Sequence, residues 1–312
     1  MHVGNGNRSV RRKKGGRWRP GFWAEGSLWE GRDDAPRQVG REGSALDAGP
    51  VHLLHPIARG ARARILAVGS GGAVWMGMWT HIASAASDGH RLDLYERNGV
   101  FMIRADGWEL MNGAYHASED QLGRLAGLLP SGSQPEILLG GLGLGYTLAS
   151  LLEMLHERFG SAPARITVAE RSSAVLRWFA STINPRLAAT LPCGVRLIES
   201  DVVACLGAGR RWDVIVLDVD NGPEALSTPG NALLYGQDGL ARCRDSLAPS
   251  GHLLLWAGWD DLRFVERARA VGFSVTRRST PLPNRPDQSH VLYVLSREKL
   301  SSAERDRIAL NG

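Results

Sequence analysis

Glycines and acidic residues follow four successive apolar runs of the chain. They are the loop Gly140–Gly145 (GGLGLG) after EILL, Glu170 at the end of ITVAE, Asp201 after VRLIES, and Asp218, Asp220 and Asn221 after VIVL. The carboxyl ends of parallel strands meet at one edge of a sheet, and such sheets bind ligands there. If the four runs are parallel strands, the four sets of residues form one site. A turn would account for any one set taken alone.

The spacing within the glycine loop separates three kinds of ligand. A nucleoside-triphosphate loop requires Lys followed by Ser or Thr after the last glycine, whereas Gly145 is followed by Tyr and Thr. A dinucleotide loop, GxGxxG, requires glycine at the position that Leu148 occupies. What remains is the GxGxG spacing of Gly141, Gly143 and Gly145, which brings the backbone close to a nucleoside without holding a diphosphate.

The acids after the next two strands suit an adenosyl ligand. Because a carboxylate accepts hydrogen bonds on both oxygens, Glu170 is predicted to bind the ribose hydroxyls and Asp201 the adenine amino group. The predicted cofactor is an adenosyl-sulfonium compound, either S-adenosylmethionine or its decarboxylated form. The three cysteines form no CxxC pair, so no metal and no disulfide framework is predicted, and a reducing, cytoplasmic location is favoured.

The order of the apolar patterns predicts the fold class. Strand-like and helix-like segments alternate over residues 118–298, which indicates an α/β domain with a doubly wound, Rossmann-like sheet. Residues 89–117 are predicted to form a small antiparallel β-unit, with a hairpin at Asn98-Gly99. Ser118 and Gln121 have the spacing of a helix capping box. The polar segment Pro281–His290 is interpreted as a solvated hairpin, with a lid as the alternative.

The positive charge is concentrated near the start of the chain. Residues 1–64 hold 13 of the 37 Lys and Arg residues and 6 of the 32 Asp and Glu residues, which leaves 24 basic and 26 acidic residues in the rest. We therefore predict a disordered head over residues 1–88, a frayed tail over residues 299–312, and no nucleic-acid partner. The uncharged run after Arg64 contains four glycines and is unsuited to a membrane span. A targeting segment, or a natural start at Met76 or Met78, stays open.

Several of these motifs together resemble the spermidine/spermine synthases, the polyamine aminopropyltransferases, over about residues 90–297. The matching features are the Tyr115-His116 pair, GGLGLG, the acidic end of ITVAER, the Ser200-Asp201 pair and the stretch that begins DVIVLDVDNGP. The resemblance implies a sheet of the class I S-adenosylmethionine methyltransferase type behind the small β-unit. It identifies the chain as similar to divergent bacterial members of the family.

The resemblance also implies an activity. In this family decarboxylated S-adenosylmethionine is the donor, a small amine is the acceptor and methylthioadenosine leaves. The residue at the position of Asp218 helps to take a proton from the amine, and the tyrosine at the position of Tyr115 helps to hold it. Asp220, Asn221 and His116 are the further candidates for substrate binding, although the role of His116 stays open. Members of the family commonly form homodimers.

Two departures from the family pattern define the alternatives. Relatives place an acid within the glycine loop, where this chain has Gly143, and they read close to DSSDPxGPA where this chain has DVDNGP. An uncharged position 143 would admit the carboxylate of ordinary S-adenosylmethionine, so methyl transfer to an unknown acceptor is the alternative reaction. A nucleoside-binding relative without catalytic activity is the second alternative.

Overall fold

The computed structural model describes residues 78–130, 134–160, 164–207, 209, 211–219, 234–282 and 285–310. The first element is a four-stranded antiparallel sheet with the order β1-β2-β3-β4. Its strands are β1 (Thr80–Ser87), β2 (His90–Arg97), β3 (Val100–Ala105) and β4 (Trp108–Asn112).

Three tight turns of one kind join the strands of the small sheet. They are Asp88-Gly89, Asn98-Gly99 and Asp106-Gly107, and both residues of each turn have positive φ angles. This conformation matches the twist of the flanking strands and favours Asn or Asp followed by Gly. The hairpin predicted at Asn98-Gly99 is confirmed. The prediction that the head extends to residue 88 is wrong for residues 80–87, because they form β1 and pair with β2.

The second sheet has seven strands in the order β10-β11-β9-β8-β5-β6-β7. Its strands are β5 (Glu136–Gly140), β6 (Arg165–Glu170), β7 (Val195–Glu199), β8 (Trp212–Leu217), β9 (Leu247–Ala257), β10 (Ser274–Leu282) and β11 (Arg285–Ser296). The five strands from β9 to β7 are parallel, and the β10–β11 hairpin adds an antiparallel edge. The predicted doubly wound α/β fold with a preceding antiparallel unit is confirmed.

Helices cover both faces of the larger sheet. They are α1 (Ala117–Leu128), α2 (Tyr146–Phe159), α3 (Ser173–Trp178), α4 (Pro185–Ala189), α5 (Gln237–Ser246), α6 (Leu262–Ala270) and α7 (Ser302–Leu310). One buried cluster lies between the sheet and helices α5 and α6, and another between the sheet and helices α1 and α2. A third cluster joins the small sheet to α3. The described part of the chain contains no helix with the length and apolar composition needed to cross a bilayer.

Two local predictions are wrong. The tail was expected to be frayed, but residues 302–310 form α7, and Ile308 packs into the core beside Leu300. The capping box also fails, because Ser118 lies inside α1 and its hydroxyl bonds to side chains of other elements instead of to the backbone. The first helical turn of α1 is therefore anchored by tertiary contacts.

Candidate active site at the carboxyl edge of the sheet

The glycine loop leaves β5 at the point where the strand order reverses. Its neighbours are β6 on one side and β8 on the other, and a crevice opens at such a switch point in α/β sheets. The Gly141 amide donates to the Ala169 carbonyl (2.9 Å), and the Asp218 amide donates to the Gly140 carbonyl (2.8 Å). These two bonds attach the loop to the ends of both neighbouring strands.

Left-handed backbone conformations shape the loop. Gly141, Gly143 and Gly145 have φ angles of +88°, +53° and +88°, a region that residues with a Cβ rarely adopt. A Cβ at Gly141 would collide with the Asp218 carbonyl oxygen, and one at Gly145 with the ring of Phe179. The absence of these side chains is thus a requirement of the packing.

Gly143 faces an apolar side chain of the small sheet. A Cβ at this position would lie 2.6 Å from Sδ and 3.0 Å from Cε of Met111 in β4. A thioether therefore occupies the space into which an acidic side chain at position 143 would project. An acidic side chain at this position would require Met111 to move.

Glu170 is held in place from two directions. Its Oε2 accepts a hydrogen bond from the Leu142 amide (2.9 Å), and its Oε1 accepts one from the Ser172 amide (2.8 Å). Each oxygen of a carboxylate has two lone pairs, so both retain capacity for a further donor. The side chain is fixed beside the glycine loop, where the predicted role as acceptor of the ribose hydroxyls requires it to be.

Asp201 has structural partners in addition to its predicted role. Its Oδ1 accepts from the Val203 amide (2.9 Å), so it caps a 3₁₀ turn over Val202–Cys205. Its Oδ2 lies 3.9 Å from the guanidinium of Arg171, which also pairs with Asp88 in the β1–β2 turn at 3.3 Å. Capping alone would explain an Asp here, and binding of the adenine amino group stays a prediction.

Asp218 follows β8 and lies beside the start of α2 and near Glu119 of α1. Its Oδ2 accepts a hydrogen bond of 2.6 Å from the hydroxyl of Thr147, a buried residue in the first turn of α2. Burial raises the pKa of Asp218 from 3.8 to about 6, and the bond from Thr147 opposes part of that rise. A carboxylate with such a pKa can both hold and accept a proton near neutral pH.

Glu119 is a second carboxyl group of the site that sequence analysis missed. It lies in the first turn of α1, and its Oε2 accepts a hydrogen bond of 2.5 Å from Ser118. Burial, and then the negative charge of Asp218, raise the pKa of Glu119 to about 7. A negative charge on Asp218 thus disfavours ionisation of Glu119, as expected for two carboxyl groups that lie near each other in a buried setting.

His116 is occupied by structural contacts. Its Nδ1 lies 2.6 Å from Asp120 Oδ2, and its ring stacks on that of Tyr146 with centroids 3.9 Å apart. The hydrogen bond with Asp120 raises the pKa of His116 above its usual value. Asp120 in turn accepts from Ser150 of α2 (3.1 Å). These contacts attach the start of α1 to α2, which is the structural role that the sequence left open.

Tyr115 lies beside a small pocket next to the acids. The pocket is lined by Tyr115, Ala117, Ser118, Thr280, Pro281, Leu282 and His290. Tyr115 is 38% exposed, and the pocket lies between the start of α1 and the β10–β11 hairpin. The described residues of Pro281–His290 belong to the paired strands β10 and β11, as expected for the hairpin interpreted from the sequence, and both strands line this pocket. A wider, open depression along the β1–β2 turn contains none of the predicted site residues.

Two of the predicted site residues, Asp220 and Asn221, lie outside the described residues, so their roles stay predictions. Within the described ranges, no group of three or more His, Cys, Asp or Glu side chains is placed to hold a metal ion. The predicted site residues that the structure describes are the glycine loop, Glu170, Asp201, Asp218, Tyr115 and His116, and their roles stay predictions; Glu119 is a further candidate.

Strand order, glycine loop and small antiparallel sheet together define a Rossmann-like methyltransferase fold with an N-terminal β-unit. Solved structures of spermidine synthases have this fold. One, in complex with the transition state analogue AdoDATO, matches with a TM-score of 0.56 and 16% identity over 72% of this chain and 74% of that chain. Another, from Thermotoga maritima, matches with a TM-score of 0.56 and 17% identity over 72% and 75% of the two chains.

Comparison of the sequence with models of known protein families gives no match, and neither does comparison with curated proteins. The likeness to spermidine synthases, predicted from the motifs, is confirmed at the level of the fold. At 16–17% identity it leaves the substrates and the reaction to be argued from the chemistry of the site.

Proposed function

We propose that this protein is a spermidine synthase-like transferase that moves an aminopropyl group from decarboxylated S-adenosylmethionine to a small amine. The observation that carries the proposal is the pair of carboxyl groups, Asp218 and Glu119, beside the glycine loop, with pKa values raised to about 6 and about 7. An amine attacks carbon only through a free lone pair, so the reaction needs a group that orients it and accepts its proton.

The residues around the loop fit an adenosyl donor. The GxGxG loop leaves β5 between β6 and β8, where its backbone can approach a nucleoside, and both oxygens of Glu170 are fixed beside it with acceptor capacity to spare. In the proposed complex Glu170 binds the ribose hydroxyls and Asp201 the adenine amino group. When bound, the donor supplies a carbon next to a sulfonium sulfur that an amine can attack.

The carboxyl pair would act on the acceptor. At neutral pH the two groups carry between one and two negative charges, which attracts a cationic amine. Asp218 would orient the amine and take its proton, with Thr147 holding one carboxylate oxygen in position. Tyr115, and also Asp220 and Asn221, are the proposed contacts with the rest of the acceptor. Holding both reactants in line would provide much of the rate.

The proposed setting of the reaction is the cytoplasm, without a nucleic-acid partner or a membrane. It is supported by the distribution of charge along the chain and by the cysteines. The three cysteines are free, and burial raises the pKa of Cys243 to about 12, so this thiol behaves as an apolar side chain. A homodimer, as in the family that the sequence resembles, is part of the same proposal.

One observation favours a second function, methyl transfer from S-adenosylmethionine. Met111 lies against Gly143 where relatives of the family place an acid. That acid would pair with the ammonium of a decarboxylated donor and repel the carboxylate of an ordinary one, and a charged hydrogen bond contributes roughly 1.5–3 kcal/mol. An apolar contact at this position discriminates less between the two donors.

The leaving product distinguishes the two reactions. The protein is incubated with each donor and a panel of monoamines and diamines, and the products are identified by mass spectrometry. Aminopropyl transfer yields methylthioadenosine and an aminopropylated amine, which is the expected result. Methyl transfer yields S-adenosylhomocysteine and a methylated acceptor, and absence of both products would support the inactive relative.

A matched pair of variants tests the role of Asp218. Loss of a general base lowers turnover by roughly 100-fold or more, so Asp218→Asn is expected to lower kcat by at least about 100-fold. Asp245→Asn on the exposed surface of α5, where the side chain is 73% exposed, is the control and should leave turnover unchanged. Full turnover by Asp218→Asn would show that this carboxylate takes no proton in the reaction.

A further inference from the structure

The hydroxyl of Ser118 lies at the centre of a buried hydrogen-bond network that the proposed reaction does not use. Ser118 is 2% exposed. Its Oγ lies 2.5 Å from Glu119 Oε2, 2.8 Å from His290 Nδ1 and 2.9 Å from Trp256 Nε1. The network thus joins α1 to strand β9 and to the β10–β11 hairpin at the edge of the sheet.

The capacities of these groups restrict how the protons are arranged. An indole N–H can only donate, so Trp256 uses one of the two lone pairs of the Ser118 hydroxyl in every state. The second lone pair and the proton of the Ser118 hydroxyl remain for hydrogen bonds with Glu119 and His290. If Ser118 donates to an ionised Glu119, it must accept from a protonated Nδ1 of His290. If a protonated Glu119 donates to Ser118, the serine proton must point to an unprotonated Nδ1.

The protonation of Glu119 therefore selects the tautomer of His290. We propose that Ser118 is a proton relay, through which the carboxyl pair of the site exchanges protons with water at His290 Nε2. The proposal rests on the proposed function for the source of the proton, which is the attacking amine. In this proposal Ser118 and His290 are positioning residues that relay the proton.

The step balances as a movement of one proton along two hydrogen bonds. The Glu119 proton passes to Ser118 Oγ while the Ser118 proton passes to His290 Nδ1, and the ring then releases its Nε2 proton to water. No electrons are transferred and no bond to carbon changes. His290 lines the pocket between α1 and the hairpin and is partly exposed, so water can reach the ring. Uptake of a proton follows the reverse order and restores the first tautomer.

The groups around the relay support its operation near neutral pH. Glu119 faces Asp218 after β8, His116 on its own helix and Tyr146 on α2, and the pKa of Glu119 is about 7. Burial lowers the pKa of His290, so its ring is neutral at pH 7 and must choose one tautomer. Its ring also packs edge-on against Trp256, with centroids 4.6 Å apart, which limits rotation.

The test is ¹⁵N NMR of the His290 ring in the full chain as a function of pH, with the signals assigned by their loss in His290→Gln. In the wild type, the ring is expected to change from the Nε2–H to the Nδ1–H tautomer as pH rises through about 7. Glu119→Gln and Ser118→Ala should each abolish this change. Thr280→Val, which removes a hairpin bond to Gln121 on the same helix, should retain it.

Two results would overturn the relay. One is a tautomer that stays constant across this pH range in the wild type. The other is a tautomer change that persists in both Glu119→Gln and Ser118→Ala while their ¹H–¹⁵N spectra show an intact fold. The NMR measurement needs no substrate, so its result does not depend on the proposed function. The relay could be present in a chain that binds no donor, and it could be absent from a chain that turns over substrate. With turnover established, Ser118→Ala should lower kcat by about tenfold and leave donor affinity unchanged.

Discussion

At the scale of single residues, the site depends on two carboxyl groups that are separated by 99 positions in the chain and placed together by the fold. Asp218 would be ionised at neutral pH if it were exposed, and so would Glu119. Burial raises the pKa of Asp218 to about 6, and burial together with the charge of Asp218 raises the pKa of Glu119 to about 7. A pair of this kind can accept one proton near neutral pH without leaving two uncompensated charges in the interior.

The raised pKa of Glu119 predicts a pH-dependent stability. Between about pH 4.5 and about pH 7 the folded protein retains a proton that the unfolded chain has released, so its free energy of unfolding falls as pH rises through this window. Glu119→Gln cannot ionise and lacks this part of the dependence. The fall in Tm between about pH 5 and about pH 8 should therefore be smaller in the variant by about 2–6 °C.

Thermal unfolding monitored by circular dichroism measures this difference. Glu153→Gln is the control, because its side chain is 66% exposed on α2, and it should follow the wild type at every pH. Parallel pH dependence in wild type and Glu119→Gln would mean that Glu119 titrates like an exposed glutamate.

The residue at position 143 is expected to affect the discrimination between decarboxylated and ordinary S-adenosylmethionine. Gly143→Asp places a carboxylate in the loop at the cost of displacing the flexible end of Met111, and Asp tolerates a positive φ better than most residues. We expect preference for decarboxylated over ordinary S-adenosylmethionine to increase by about tenfold or more. Gly143→Asn has the same shape without the charge and should change the two affinities equally. Equal effects of Asp and Asn would place the donor's ammonium away from the loop.

At the scale of elements, helix α1 brings three titratable residues to the site. His116, Glu119 and Asp120 are three and four positions apart, so they share one face of the helix near its start. The helix can approach α2 closely because Gly123 has no side chain. A Cβ there would collide with the Thr147 carbonyl oxygen and lie 2.8 Å from the Leu151 amide nitrogen.

This contact predicts an asymmetry between two glycines of α1. Gly123→Ala meets backbone atoms of α2 that cannot move aside, and should destabilise the fold by about 1–3 kcal/mol as an overpacked site. Gly127→Ala meets the near end of the Met154 side chain, 2.7 Å from Cγ and 2.8 Å from Cβ, but its nearest backbone contact is the Leu151 carbonyl oxygen at 3.3 Å, so it should cost less. Denaturant unfolding of both variants measures the two free energies. Equal costs would contradict the predicted difference between a contact with backbone atoms and a contact with a side chain.

Patterns along the chain predict the sheet better than they predict the site. The parallel strands are short apolar runs followed by glycine or acid, and they occur as expected. Glu119 could not be located in this way, because its role depends on how far α1 tilts toward β8, which tertiary packing decides. The helical spacing of His116, Glu119 and Asp120 was the available signal. Strand β1 was missed because THIASAAS has little apolar alternation, although the Asp88-Gly89 turn after it signals a hairpin.

At the scale of the whole molecule, the larger sheet places the ends of β5, β6 and β8 along one edge, and the small sheet borders the same edge. Met111 of β4 contacts Gly143, and Asp88 of the β1–β2 turn pairs with Arg171 after β6. The N-terminal sheet thus forms part of the wall of the site. Because residues of the small sheet and of the larger sheet meet at this edge, a ligand bound there should stabilise both sheets against unfolding.

The central claim is that this edge binds an adenosyl-sulfonium donor, and titration calorimetry tests it most directly. The purified chain is titrated with decarboxylated S-adenosylmethionine, S-adenosylmethionine and methylthioadenosine. Glu170→Gln is compared with Glu199→Gln, an exposed residue that pairs with Glu170 at the end of edge strand β7. We predict that methylthioadenosine and at least one donor bind to the wild type and to Glu199→Gln, and bind about tenfold more weakly to Glu170→Gln. Failure of all three compounds to bind the wild-type chain would contradict the assignment.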